Sequence, residues 1–83
     1  MLLPLPKTCR LNEKERGVNF EVEISGRNWK ALITFEALDS IYPAQNRIHA
    51  VLQSRYITSK VAERILLGDD TEPICLMRTM FPS

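Results

Sequence analysis

The chain has few of the residues on which catalytic and metal sites depend. Its 83 residues include one histidine, two cysteines and three isolated glycines. Structural zinc sites use four histidine or cysteine ligands in paired spacings, and phosphate-binding loops use clustered glycines. The sequence therefore predicts no metal site, no cofactor and no phosphate loop.

An excess of charge of one sign and a long apolar run are also missing. Eleven basic residues balance ten acidic ones, so no general field attracts nucleic acid or an anionic membrane, although a local basic patch stays open. No segment approaches the ~18 apolar residues of a membrane helix. Residues 1–6 lack the basic start and the length of a signal peptide. We therefore expect a cytoplasmic protein without a membrane partner.

Cys9 and Cys75 are the two cysteines. A secreted domain of this size usually carries more disulfides, so the pair predicts two reduced thiols in a cytosol. A disulfide between Cys9 and Cys75 stays as the alternative.

The length and the composition indicate one soluble globular domain over residues 1–83. A 45% apolar fraction with 25% charged residues is ordinary for such a domain. A chain this short buries a limited core, so we expect a partner subunit or good packing to help stabilise it.

The first third of the chain predicts an arm, a charged connection and a hairpin. Prolines make residues 1–7 an extended arm, and five charges indicate a solvated connection over residues 9–17. Apolar residues alternate with polar ones over residues 18–25, which predicts a half-buried strand. Residues 26–28 form the predicted turn, and residues 29–34 return as the second strand.

Two helices are predicted after the hairpin. Thr34 is the expected N-cap of a short helix over residues 35–41, which ends before Pro43. A long helix is expected from about Asn46 to Leu67, with Gly68 as its stop. Its apolar stripe comprises Ile48, Val51, Leu52, Ala62, Ile65 and Leu66. We expect Leu52, Ala62, Ile65 and Leu66 to be buried against the inner face of the hairpin.

An acidic turn over residues 68–73 and a last strand over residues 74–81 complete the chain. The strand is expected to be apolar on both faces at Cys75, Leu76 and Met77. Together, the elements predict an α+β fold: a small three- to four-stranded, mainly antiparallel sheet with the short and the long helix packed on one face. The last strand must pair beside the hairpin or the arm to satisfy its buried backbone groups. The other sheet face carries Leu32 or part of the last strand and is expected to be only partly covered, which would leave an apolar surface for a partner.

Arg55 is the first candidate for a binding or structural polar site. On a continuous helix it lies inside the apolar stripe, where a guanidinium must be paired, must reach out to water or must mark a helix break. A new N-cap at Ser59 would provide such a break. Glu21, Glu23 and Asp39 are the candidate partners. A structural clamp, a break and a ligand contact all stay open.

Trp29, Lys60 and Arg64 are the other candidates. His49, Gln53, Lys60 and Arg64 share the polar side of the predicted long helix and form a strip that could contact phosphates. A charged helix face is more often simply solvated. Trp29 beside the hairpin turn is either a binding hot spot or a core residue covered by a helix.

Three segments resemble a small uncharacterised bacterial family, the domain of unknown function numbered fourteen-eighty-eight. Residues 18–26 resemble its first hairpin, residues 33–38 resemble its junction from strand to capped E-A-L helix, and Arg55, Ala62 and Arg64 fall where its long helix carries an Arg, an Ala and a basic residue. The resemblance implies an α+β bacterial cytosolic protein and implies no activity.

We therefore expect a binding or regulatory module without catalysis. It would associate through a sheet edge or a sheet face with another protein or with a second copy of itself. Association with nucleic acid through the basic side of the long helix is the alternative. An enzyme or ligand-binding protein built around Arg55 is the third possibility.

Overall fold

The structure, a computed structural model, describes residues 3–43, 45–69 and 71–81. The strands within these residues are β1 (Lys7–Asn12), β2 (Gly17–Ile24), β3 (Arg27–Thr34) and β4 (Ile74–Leu76). The helices are α1 (Phe35–Ile41), α2 (Arg47–Leu52) and α3 (Arg55–Leu66), and a 3-10 turn spans Arg78–Met80. The predicted α+β class is confirmed.

The sheet has the order β1-β2-β3-β4, with β4 parallel to β3 and the other pairs antiparallel. It is therefore a mixed sheet, and the final strand lies beside the hairpin as predicted. The hairpin is confirmed, but its turn is shorter than predicted, because Ile24 pairs with Arg27. Ser25 and Gly26 form the turn with φ of 53° and 79°. Positive φ at both residues is typical of a type I′ hairpin, whose twist matches that of its strands.

The predicted loop over residues 9–17 is wrong in its first half, because β1 occupies it. Most side chains of β1 are exposed, and only Cys9 of this strand packs against the core among the partly buried apolar residues. The strand therefore resembles a solvated loop in its composition. The pairing with β2 is irregular between Lys7 and Arg10, where Thr8 has a φ of 54°. An extra residue in an edge strand of this kind is a β-bulge, which bends the strand.

The predicted short helix is confirmed. α1 spans the expected residues, and the Thr34 hydroxyl accepts a hydrogen bond from the Ala37 N–H at 3.1 Å. This bond satisfies one of the free N–H groups at the helix start. Ala37 and Leu38 are fully buried, so α1 is held by packing as well as by its cap.

The predicted single helix over residues 46–67 is wrong, since the structure divides the segment into α2 and α3. Asn46 caps α2 and Ser54 caps α3. The Ser54 hydroxyl accepts a hydrogen bond from the Ile57 N–H at 3.1 Å and lies 2.6 Å from the Tyr42 hydroxyl. These bonds stabilise a non-helical residue at Ser54, so the break comes there rather than at Ser59.

The break changes which side chains are buried. Val51 and Val61 are fully buried, whereas Leu66 is 86% exposed and Leu52 is 37% exposed. The predicted burial of these two leucines is therefore wrong, and Ile65 is only partly buried against the core. Apolar residues spaced at 100° per residue share a face only within one continuous helix. Residues of α3 therefore need not lie on the same face as the stripe that begins in α2.

The predicted strand over residues 74–81 is wrong beyond Leu76, because the chain then forms the 3-10 turn. Ile74 and Leu76 are buried and Cys75 is exposed, so β4 alternates rather than being apolar on both faces. Asp70 of the predicted acidic turn lies outside the described residues, as do residues 1 and 2 of the arm.

The core lies between the sheet and the helices. Its largest fully buried side chains are Phe20, Ile33, Leu38, Ile57, Ile74 and Leu76. Cys9 and Cys75 are not bonded to each other and lie on opposite edge strands of the sheet. Within the described residues, no helix is both long and apolar enough to cross a membrane.

Candidate functional site: the free edge and open face of the sheet

The helices pack on one face of the sheet and leave the other face open. Residues that are directly opposite in neighbouring strands place their side chains on the same face. The register therefore defines rows of side chains that cross this open face. The rows are Arg10–Asn19–Leu32–Cys75 and Lys7–Glu21–Lys30. The open face is mainly polar and carries charges of both signs.

A groove with a volume of about 780 Å³ runs over the open face. Its polar lining includes Arg10 and Lys30, and its less polar lining includes Leu32, Pro73 and Cys75. Leu32 is only 8% exposed, whereas the Cys75 thiol is exposed. The open face is therefore less apolar than the sequence predicted.

Gly17 allows Leu32 to lie close to the sheet. A Cβ atom at Gly17 would be 2.8 Å from Leu32 Cδ1 and 2.6 Å from the Ile33 carbonyl oxygen. Both distances are shorter than a van der Waals contact, so a side chain at Gly17 would displace Leu32 and strand β3. The glycine thus helps to keep Leu32 covered at the floor of the groove.

Glu72 closes the end of the groove beside β3. Its carboxylate accepts hydrogen bonds from the Lys30 backbone N–H at 2.7 Å and from the Arg27 guanidinium at 2.9 Å. These two donors lower the pKa of Glu72. The same guanidinium lies 3.8 Å from the centre of the Trp29 ring, which is 7% exposed. Trp29 therefore lies in the core under Arg27 and offers little surface to a ligand.

The outer edge of β1 is free. In an antiparallel strand, every second residue turns its N–H and C=O groups away from the paired neighbour. Among the described residues, no backbone group pairs with β1 from its outer side. Lys7 and Arg10 are exposed on this strand, and Leu11 is 52% exposed. β1 therefore presents unpaired backbone groups between cationic and apolar side chains.

Arg55 lies at the first position of α3 and is exposed. Its Nε donates a hydrogen bond to the Leu3 carbonyl oxygen at 3.0 Å, which ties the N-terminal arm to the start of α3. Of its predicted partners, Asp39 instead binds Arg47 at 2.9 Å and Glu21 accepts a hydrogen bond from an asparagine. The geometry is that of a carbonyl contact next to a helix break.

Lys60 and Arg64 lie together on α3 beside a cavity of about 290 Å³. Arg64 binds Asp69 at 2.7 Å, and the Lys60 ammonium is 3.5 Å from the Glu63 carboxylate. The other members of the predicted basic strip, His49 and Gln53, belong to α2 and its C-cap. The strip is therefore divided between two helices, and its cations already have carboxylate partners.

The free edge and Glu72 were missed from the sequence. Cys9 and Leu11 alternate with Thr8, Arg10 and Asn12, which is a strand signal that the charged surroundings concealed. No comparable local signal marks Glu72, because its donors lie about 40 residues earlier in the chain.

Among the described residues, no group of three or more histidine, cysteine, aspartate or glutamate side chains could hold a metal ion. Comparison with family models, curated proteins and solved structures gave no match. The resemblance to the family of unknown function thus stays a prediction from the sequence. The function must be inferred from the edge and face described above.

Proposed function

We propose that this protein is a small cytoplasmic binding module without catalytic activity. It associates with another protein chain, or with a second copy of itself, through the free edge of β1. The observation that carries this proposal is a six-residue edge strand with an unpaired outer side beside a large groove. A strand added to such an edge gains backbone hydrogen bonds, and its alternate side chains reach the two neighbouring surfaces.

The charged groups of the candidate site favour binding over catalysis. Glu72 is the carboxylate whose pKa is lowered, and its donors are Lys30 and Arg27 rather than Arg55. It holds the segment before β4 against β3, which is a structural role. Arg55 contacts a backbone carbonyl outside the groove. Glu72 and Arg55 therefore have separate structural contacts and do not form a joint site.

The basic side of α3 gives less support to nucleic-acid association than the sequence did. Arg64 and Lys60 have carboxylate partners within 4 Å, so binding phosphate would first require breaking those pairs. Affinity for nucleic acid comes mainly from cations that are free to neutralise phosphates. The edge of β1 is the better supported surface.

The test is a heteronuclear NMR spectrum of the labelled chain in an unlabelled extract of its native cells. We expect signals of β1 and of the groove to shift or broaden, with and without nuclease. Changes confined to Lys60 and Arg64 that nuclease abolishes would favour nucleic acid and contradict the proposal. An unchanged spectrum in the extract, together with a strict monomer at high concentration, would also contradict it.

A further inference from the structure

We propose that the occupant of the β1 edge is an acidic, extended segment of a different protein rather than a second copy of this chain. This inference rests on the proposed function and specifies the partner. Lys7 and Arg10 are the charged residues of β1, and both are cationic and exposed. Among the described residues, neither has a carboxylate within 4.0 Å, whereas Arg27, Arg47 and Arg64 each have one.

The position of these two cations decides what can lie beside them. A strand added to β1 has the side chains of β1 as its direct cross-strand neighbours, and opposite charges in such pairs are favourable. Among the acidic residues around β1, Glu13 and Glu15 follow it in the turn, and Glu21 lies opposite Lys7 on the inner neighbour β2. Asp39 lines the cleft beside Leu11, on the other face of the strand. The partner strand therefore faces cations first, and glutamate or aspartate complements them.

A second copy of β1 fits this edge poorly. In the antiparallel register whose two-fold axis lies between Thr8 and Cys9, Lys7 of one chain would lie opposite Arg10 of the other. Like charges in direct cross-strand pairs are destabilising. The irregularity at Thr8 would also be duplicated, so the ladder between two copies would contain two bulges, whereas a ladder with a regular strand would contain one.

The other side of β1 indicates the alternate residues of the partner. Leu11 pairs with Val18 on the helix side of the sheet and is 52% exposed. It lines a cleft of about 570 Å³ with the apolar residues Pro43 and Ile48, and the rest of the lining is polar: Asp39, Gln45, Asn46 and Arg47. An added strand would place every second side chain towards this cleft, where an apolar residue removes exposed surface of Leu11 from water. The partner segment thus alternates acidic and apolar residues.

The probe is an acetylated, amidated eight-residue peptide in which glutamate and valine alternate, titrated at low salt while amide signals of the protein are recorded. We expect shifts confined to β1, the groove and the Leu11 cleft. In Lys7→Ser/Arg10→Ser the dissociation constant should rise about three- to tenfold, as expected for two exposed ion pairs. Arg78→Ser, an exposed arginine outside β1, is the matched control and should bind like the wild type.

Three further peptides test whether binding needs acidic residues and backbone hydrogen bonds, and a concentration series of the protein alone tests for self-association. A lysine–valine peptide should bind more weakly to the wild type and better to Lys7→Glu/Arg10→Glu. Methylation of alternate backbone nitrogens in the glutamate peptide should abolish binding, because strand addition needs those N–H groups. Retained binding of the methylated peptide would overturn the inference in favour of non-specific attraction.

The remaining outcomes distinguish this inference from the proposed function. If an uncharged threonine–valine peptide shifts β1 as strongly as the glutamate peptide, the acidic partner is wrong and strand addition stands. The same conclusion follows if increasing protein concentration alone shifts β1. If no peptide and no protein concentration affects β1, both proposals fail. Melting curves of each variant check that these exposed substitutions leave the fold intact.

Discussion

Ser54 lies between α2 and α3, which the sequence predicted as one continuous helix. Its hydroxyl accepts a hydrogen bond from the Ile57 N–H at 3.1 Å and lies 2.6 Å from the hydroxyl of Tyr42, the C-cap residue of α1. Ser54 itself is 3% exposed, so water cannot easily replace these bonds. We expect Ser54→Ala to be strongly destabilising for a single-atom deletion.

The magnitude follows from the two bonds. Loss of a serine N-cap costs about 1 kcal/mol, and loss of the Tyr42 partner costs about another 1 kcal/mol. A total of about 2 kcal/mol is a large share of the ~5–10 kcal/mol that stabilises a small domain. For a chain of this size it lowers the melting temperature by about 8–16 °C.

Urea unfolding monitored by circular dichroism measures this loss. Ser59→Ala is the matched control, because Ser59 lies in the same helix and its hydroxyl only donates to the Tyr56 carbonyl at 2.6 Å. Ser54→Thr should recover most of the stability, and Tyr42→Phe should cost about half as much as Ser54→Ala. If Ser54→Ala is no more destabilising than Ser59→Ala, the break at Ser54 is not what orders α3.

Three further predictions concern burial and protonation. Val61→Ala should lower the free energy of unfolding in urea by about 2 kcal/mol, whereas Leu66→Ala should change it by less than about 0.5 kcal/mol. The reverse order would mean that the buried face of α3 contains Leu66 rather than Val61. The free energy of unfolding should fall as the pH drops below 4.5, because the pKa of Glu72 is lowered in the folded state and its stabilisation is lost when the carboxylate is protonated. An equally steep fall in Glu72→Gln would contradict this. Partial burial raises the pKa of Cys9 to about 11, so iodoacetamide should modify the exposed Cys75 well before Cys9 at pH 8, as measured by mass spectrometry. Equal rates would contradict the shielding of Cys9.

The sequence predicted those elements whose signals are local. The alternation of apolar and polar residues lies within the strands β2 and β3 themselves, and the Thr34 cap lies next to the helix α1 that it starts. Both predictions are confirmed. The break at Ser54 also has a local cause, but a serine before an arginine is a weak cap signal within a long apolar pattern. The apolar residues on both sides of it happen to fit one helical period, which concealed the break.

The remaining features depend on tertiary contacts. β1 is an edge strand with two cations and a bulge, so its pairing with β2, rather than its composition, makes it a strand. The contacts of Glu72 with β3 and the parallel pairing of β4 join residues about 40 positions apart. Of the predicted site residues, Trp29 lies in the core beneath Arg27, and Arg55 binds the carbonyl oxygen of Leu3 in the N-terminal arm. Both residues therefore make structural contacts.

The most direct test of the account is residue-by-residue amide hydrogen exchange of β1, free and with the glutamate–valine peptide. We expect that, in the free protein, alternate amides of β1 exchange quickly while amides of β2 and β3 are protected. The reason is that the outer groups of β1 have no neighbouring strand, whereas β2 and β3 are paired on both sides. Saturating peptide should slow those same β1 amides at least about tenfold and leave β3 unchanged. Full protection of β1 in the free monomer, or slowing confined to the exposed end of α3 at Leu66 and Leu67, would contradict the claim that this edge is the binding surface.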